Sequence, residues 1–240
     1  IPDQDILTAR DARRRRLVQE VRRRTGRNAL DESLLTIGFA RRFAPYKRGD
    51  LIFSDPDRLA AFLEAGAQVI FAGKAHPADT LGQEIIANVL RFARDPRFRD
   101  RVVFIADYDM ATGRLLTGCC DVWLNNPRRP REASGTSGQK AAMNGNLNLS
   151  VLDGWWPEGF DGTNGWSIGE EKEYTSLAVQ DAADAEDLYL TLEKKVLPAF
   201  QDPATWAKMS ARAMSTCTVA FNTHRMVGDY VDMMYLPQEA

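Results

Sequence analysis

The sequence predicts an α/β domain: a mostly parallel β-sheet covered by helices on both faces, with more helices after it. Three observations carry this prediction. Short apolar runs alternate with helix-length segments between residues 34 and 151. The runs are continuously apolar, as strands buried on both faces should be. The segments richest in charge, glycine and small residues come directly after the runs, where strands of an open α/β sheet end and ligands bind.

The elements follow in order. Residues 8–24, TARDARRRRLVQEVRRR, put Leu17, Val18 and Val21 on one helical face and arginines on the others. This reads as an amphipathic helix packed on a larger body, stopped by Gly26 and Asn28. Residues 1–30 are assigned to that helix and linker, and 31–240 to the domain proper. The first strand is expected at residues 34–39, followed by a helix at 55–65. A strand at 68–72 and a helix at 79–94 repeat the unit. A strand at 101–106, a short helix at 112–118 and a strand at 121–124 come next. A helical turn at 137–143 precedes the last expected strand, 147–151. Residues 153–169, rich in Gly, Trp, Asp and Asn, read as an irregular loop. Residues 181–199 and 203–235 read as helical, with Pro198 and Pro203 delimiting the turn between them.

Composition narrows the function. With 240 residues and 44% hydrophobic content, the chain can bury a core without disulfides or metals. It carries 33 acidic and 31 basic side chains, which argues against a protein that works by coating nucleic acid. The first 50 residues nonetheless hold 13 basic and 7 acidic side chains. The arginines of residues 8–24 lack the interleaved aromatics of a nucleic-acid surface, and residues 10–27 are read as a solvated connecting helix. Cys119, Cys120 and Cys217 are odd in number and two are adjacent, against a disulfide framework or zinc cage. His76 and His224 lie far apart and no metal-ligand spacing occurs, so no metal is expected. His224 reads as a capping or packing residue of the last helix. No apolar stretch approaches the roughly 18 residues of a membrane span, and no signal peptide opens the chain. The start at Ile1-Pro2, without Met, suggests a processed product or a piece of a longer protein.

Four clusters carry candidate chemistry. Arg41-Arg42-Phe43-Ala44-Pro45-Tyr46-Lys47-Arg48 gathers four cations after a strand, suited to phosphate through charge-assisted hydrogen bonds. Gly73-Lys74-Ala75-His76-Pro77 offers two polar side chains on a tight loop, or is an ordinary loop. Asp107-Tyr108-Asp109 could face a ligand or cap a helix. Glu132-Ala133-Ser134-Gly135-Thr136-Ser137-Gly138-Gln139-Lys140 is the richest. Its small residues let backbone N–H groups converge on an anion, and a helix starting near Ser137 adds its positive end. Lys140, one turn into that helix, could neutralise phosphate or form a Schiff base. The spacing is not that of a GxxxxGK phosphate loop. Ser137 and Lys140 satisfy S-x-x-K, but the companion S-D-N and K-T-G motifs are missing and the alternating pattern is wrong for such a hydrolase. Trp155-Trp156 reads either as a sugar-stacking pair or as an aromatic plug.

Taken together, EASGTSGQKAAMNG at 132–145, RRFAPYKR at 41–48, FIADYD at 104–109 and Leu152-Asp153-Gly154 resemble the C-terminal half of the α-glucan phosphorylases. The resemblance is to the short bacterial branch of the glycogen, starch and maltodextrin enzymes and runs from residue 34 to the end. It implies a Rossmann-like three-layer α/β domain with C-terminal helices, forming the C-terminal half of a GT-B glycosyltransferase architecture. It implies phosphorolysis of α-1,4-glucan by inorganic phosphate, giving α-D-glucose 1-phosphate, with pyridoxal 5'-phosphate on Lys140. By the same resemblance Arg41, Lys47, Tyr108, Thr136 and Ser137 contact the cofactor. Arg42 and Lys47 bind substrate phosphate, and Glu132, Ser134 and Gly135 bind glucose hydroxyls. Asp109 departs from the pattern, standing where the larger enzymes are basic. The N-terminal half, which holds the other sugar contacts, is absent, so this chain alone is expected to be inactive. A cytoplasmic location is implied, with oligomeric state open and neither nucleic acid nor membrane as partner. A nucleotide-sugar glycosyltransferase of the same architecture, or a non-catalytic sugar- or phosphate-binding domain, are the alternatives.

Overall fold

A computed structural model of the chain describes residues 1–26 and 29–236. Asn28, expected to end the first helix, and Ala240, the expected domain end, lie outside the described residues. Six parallel strands form one sheet in the order β3-β2-β1-β4-β5-β6. They are β1 (Leu35–Ala40), β2 (Ala67–Ala72), β3 (Val102–Ile105), β4 (Val122–Asn125), β5 (Leu147–Val151) and β6 (Gly165–Ile168). The order reverses between β1 and β4. That is the switch point outside which open α/β sheets bind ligands.

The strands are apolar throughout because both faces are covered. Leu35, Ile37 and Phe39 of β1 and Val69 and Phe71 of β2 enter one core. There they meet Leu59, Phe62 and Leu63 of α2 (Pro56–Glu64), Val89 of α3 (Thr80–Arg94) and Leu188 of α7 (Leu177–Thr191). Ala40, Ile70 and Ala72 point the other way. They join Leu17, Val18 and Val21 of α1 (Asp3–Thr25), Leu115 and Leu116 of α4 (Met110–Cys119) and Ala141 of α5 (Thr136–Met143). Helix starts obey local capping chemistry. The carboxylates of Asp55, Asp79 and Asp109 accept from the amides of Arg58, Gly82 and Thr112, opening α2, α3 and α4. Asp109 is thus a helix cap.

Helix α1 packs on the domain through Leu17, Val18 and Val21, as its apolar face predicts, but it is not the solvated connector expected over residues 10–27. Arg10 and Arg14 are buried beneath it against Asp121, whose side chain is 0% exposed. Arg14 Nη1 stands 3.0 Å from Asp121 Oδ1 and Arg10 Nη2 3.7 Å. The Thr36 amide donates to Asp121 Oδ2 at 2.9 Å. Burial pushes the Asp121 carboxyl up against the pull of both arginines. Burial pulls Arg14 down, but Asp121 and Asp11 outweigh it and leave it above its ordinary value. Helical periodicity sorts apolar from polar faces. It cannot reveal that a carboxylate at the foot of β4 draws two arginines inward.

Residues 153–169 are more ordered than expected. They hold α6 (Trp156–Gly159) and the edge strand β6, which forms by pairing with β5. Four residues flanked by glycines at positive φ carry too little local signal to be read as a strand. Trp155 and Trp156 are a plug, 5% and 0% exposed, with Trp155 edge-on to Phe221 at 5.0 Å. Beyond α7, the chain passes through a wide helical turn, Leu192–Val196, into α8 (Leu197–Gln201). Asp202 caps α9 (Pro203–Ala220), and Asn222 caps α10 (Thr223–Tyr230). His224 is exposed, so the cap is its neighbour two residues earlier.

Candidate functional site

The loops after β1, β3, β4 and β5 bring the candidate residues to one edge of the sheet. They fall into two adjoining groups and a rim.

The first group is an ion cluster at the switch point. β1 ends at Ala40, so Arg41 projects from the strand end, where it is 8% exposed. Its guanidinium donates to Asn125 Oδ1 at the end of β4 and to Glu132 Oε2 at 2.9 Å. Lys47, in the single turn Pro45–Lys47, reaches the same carboxylate at 2.9 Å and 3.2 Å. Asn125 donates in turn to Ser150 Oγ of β5 at 2.9 Å. The Glu132 amide donates to Asp153 Oδ2 at 2.8 Å, and Trp155 N donates to Ser134 O at 2.8 Å, so the loop after β5 holds the loop after β4. Gly154 lies between these anchors with φ +60, and a Cβ there would stand 2.4 Å from Ser134 O. Only glycine accepts both constraints. Burial pulls the Arg41 guanidinium below its ordinary range, opposed by Glu132. Arg41 Nε is buried with no hydrogen-bond acceptor among the described residues.

The second group lines a cleft of about 990 Å³ between α1, α4 and α5. Tyr108, Ser137 and Lys140 face it together. Lys140 is exposed, in the second turn of α5, and its amine has no ion pair among the described residues. Gly135, at φ +84, turns the chain into α5, leaving the amides of Thr136 and Ser137 in the open first turn. Burial, then the charge of Asp109, push the Tyr108 phenol up, so it remains a neutral donor. Gly113 leaves room for that ring: a Cβ there would meet Tyr108 Oη at 2.7 Å.

Arg13, Arg16 and Arg114 also line the cleft, and among the described residues no carboxylate does. The sequence reading missed these arginines, assigning Arg13 and Arg16 to a solvated helix face. Their helical position gave no hint of which neighbour they would meet. Arg13 donates to Asn144 Oδ1 at 2.8 Å and Gly118 O at 3.1 Å, which ties α1 to the ends of α5 and α4. Asn125 was missed too, and Asp153 entered only as part of the 152–154 resemblance without a role, although the rule that ligand-side residues follow strands points to both.

The rim consists of Arg42, Ser134, Gly135 and Thr136, close to both groups in sequence but outside the ion cluster and the cleft lining. Arg42 is exposed and has no ion pair among the described residues. Arg48 is no phosphate ligand here. It is 3% exposed and paired with Asp181 at 3.0 Å and Asp184 at 2.7 Å, pinning α7 beside the loop after β4. Lys74 is exposed, and His76 only accepts from the Ala78 amide at 3.1 Å, so that cluster acts as a loop.

A cleft bearing four cations, a phenol and open helix amides, with no carboxylate among the described residues that line it, suits a multiply charged anion. A free amine in the same wall adds a group that could hold a carbonyl compound covalently as an imine.

The sequence matches the carbohydrate phosphorylase family over residues 3–158. The chain belongs to that family. It is 42% identical to the maltodextrin phosphorylase of Thermococcus litoralis over 98% of its own length and 30% of that protein. It is 46% identical to the glycogen phosphorylase of Aquifex aeolicus, covering 86% of this chain and 31% of the relative. The glycogen phosphorylase of Mycobacterium tuberculosis is 45% identical over 87% of this chain and 25% of the relative. This phosphorylase-family chain therefore spans under a third of the length of these relatives. The matched segment includes β1 to β5, the ion cluster and all the cleft-lining residues. Among the described residues, no helix is long and apolar enough to cross a membrane.

Proposed function

We propose that this chain is the cofactor- and phosphate-binding part of an α-glucan phosphorylase. The whole protein would cleave the terminal α-1,4 linkage of a glucan with inorganic phosphate, releasing α-D-glucose 1-phosphate in the cytoplasm. The second domain of a GT-B architecture, with the remaining glucan contacts, would come from the rest of such a protein. The observation that carries this reading is the free amine of Lys140 beside Tyr108 and the first turn of α5, in a cleft that no carboxylate lines among the described residues.

Those residues fit pyridoxal 5'-phosphate. Lys140 would hold its carbonyl carbon, Tyr108 would lie by its ring, and the Thr136 and Ser137 amides would receive its phosphate, with Arg41 and Lys47 nearby. When bound, the cofactor supplies a second phosphate group that can exchange a proton with substrate phosphate. The protein's task is then largely electrostatic. Two unit charges about 4 Å apart repel by about 4 kcal/mol at an effective dielectric near 20. Arg41, Arg42, Lys47 and the positive end of α5 would offset that repulsion and hold the anions where a proton can pass between them. Ser134, Gly135 and Glu132, on the loop after β4, would meet the hydroxyls of a terminal glucose. Tyr108, kept protonated, can donate, accept or pack but is not a base, which suits positioning rather than proton abstraction.

The test is phosphate-dependent release of glucose 1-phosphate from maltodextrin by the intact protein that carries this chain. Release that requires phosphate and disappears in K140A supports the reading. Transfer from a nucleotide sugar, with no phosphorolysis, overturns it.

A further inference from the structure

The ion cluster has an unusual composition. Glu132 is the shared counter-ion of Arg41 and Lys47, and all three side chains are no more than 9% exposed. Two cations beside the proposed phosphate sites are thus already paired with one carboxylate of the protein, which leaves the cluster a net charge of one. That carboxylate sits on the loop which the proposed function assigns to sugar hydroxyls. Meanwhile Arg41 Nε is buried without an acceptor among the described residues. A carboxylate has two oxygens, and Glu132 spends both on Lys47 and one also on Arg41. It therefore leaves a donor unserved that the third oxygen of a phosphate could reach.

We propose that Glu132 is an internal counter-ion which phosphate displaces, so that binding of phosphate frees its carboxylate to accept hydrogen bonds from the sugar. This rests on reading the cleft edge as a glucan–phosphate site, and it adds a linkage between the two ligands. Before phosphate arrives, the carboxylate keeps Arg41 and Lys47 in place and prevents two buried cations from facing each other unpaired, a costly arrangement. A dianion takes over both cations and the spare Nε–H. It also repels Glu132 out of the cluster, since like charges at contact distance disfavour one another. The freed oxygens are then strong acceptors for neutral hydroxyl donors. Phosphate and sugar consequently bind with positive cooperativity, and by thermodynamic reciprocity each raises the affinity of the other by the same factor. Asp153 holds the Glu132 backbone amide throughout, so only the side chain need move.

Calorimetric titration of inorganic phosphate into the intact protein and its E132Q variant tests the first half. The amide keeps the shape and removes the competing charge, so phosphate should bind E132Q at least about tenfold more tightly, or about 1.4 kcal/mol. Equal or weaker phosphate binding by folded E132Q overturns the proposal. The second half is read in the unmodified protein, which covers the case of a variant that does not fold. D-glucose, which phosphate cannot cleave, should bind several-fold more tightly at saturating phosphate than without it. Glucose affinity independent of phosphate overturns the linkage. Covalent trapping of cofactor on Lys140 does not depend on Glu132's charge, so failure of the proposed function would show there and not in these titrations.

Discussion

Replacing Asp121 by Asn tests how α1 is joined to the domain. The change preserves shape and leaves Asn Oδ1 to accept from the Thr36 amide. It removes the one carboxylate that Arg10 meets among the described residues, and the buried one that Arg14 meets. Arg10 and Arg14 are 3% and 7% exposed, so neither gains water in compensation. Breaking a buried pair by deleting one partner costs about 3–5 kcal/mol, because an uncompensated charge stays inside. That is a large share of the about 5–15 kcal/mol that holds an ordinary domain together. With a urea slope of about 2 kcal/mol/M, the midpoint of unfolding should fall by about 1.5–2.5 M. Glu170 and Lys172 form an exposed pair, 71% and 50% exposed, and supply the control. E170Q should shift stability by no more than about 0.5 kcal/mol. Equilibrium urea denaturation followed by tryptophan fluorescence measures both. A D121N midpoint within about 0.5 M of the parent protein would refute the argument that the buried carboxylate is what anchors α1.

Two further outcomes follow from the same structure. G154A forces a side chain into a left-handed backbone position 2.4 Å from Ser134 O, so it should destabilise the chain by about 1–3 kcal/mol and loosen the loop at 132–135. Faster amide exchange at Ser134 and Trp155 would report this, and unchanged exchange with unchanged stability would contradict it. The three thiols are buried, and burial raises all of their pKa values, Cys217 from 9.0 to about 11. The unfolded chain therefore loses its thiol protons first. Stability from Cys217 is complete below pH 9.0 and is lost as pH rises toward about 11, roughly 2–3 kcal/mol in all. Native protein at pH 8 should resist thiol alkylation that proceeds readily in urea, and fast native labelling would contradict the burial.

Much of this was legible in the sequence because it depends on local rules. The first five strands announce themselves as apolar runs, and the Asp caps as single residues before helices. Arg41, Lys47, Glu132 and Lys140 stand out because they follow strands. The rest depends on contacts between distant parts of the chain. Nothing local says that Asp121 lies beneath Arg10 and Arg14, more than a hundred positions away. Nothing local separates Lys47, which joins the ion cluster, from Arg48, which turns to α7, because adjacent residues on a tight turn can face opposite partners. β6 is a strand because β5 offers a free edge. Arg13, Arg16 and Arg114 become cleft residues only once α1, α4 and α5 are packed side by side.

The central claim is that Lys140 is the covalent anchor of a pyridoxal cofactor in this cleft. Its most direct test is borohydride reduction of the intact protein after loading with pyridoxal 5'-phosphate, followed by peptide mapping. A stable pyridoxyl label on Lys140, lost in K140A, is the predicted result. A folded protein that takes no label, or takes it on another lysine, would contradict the account.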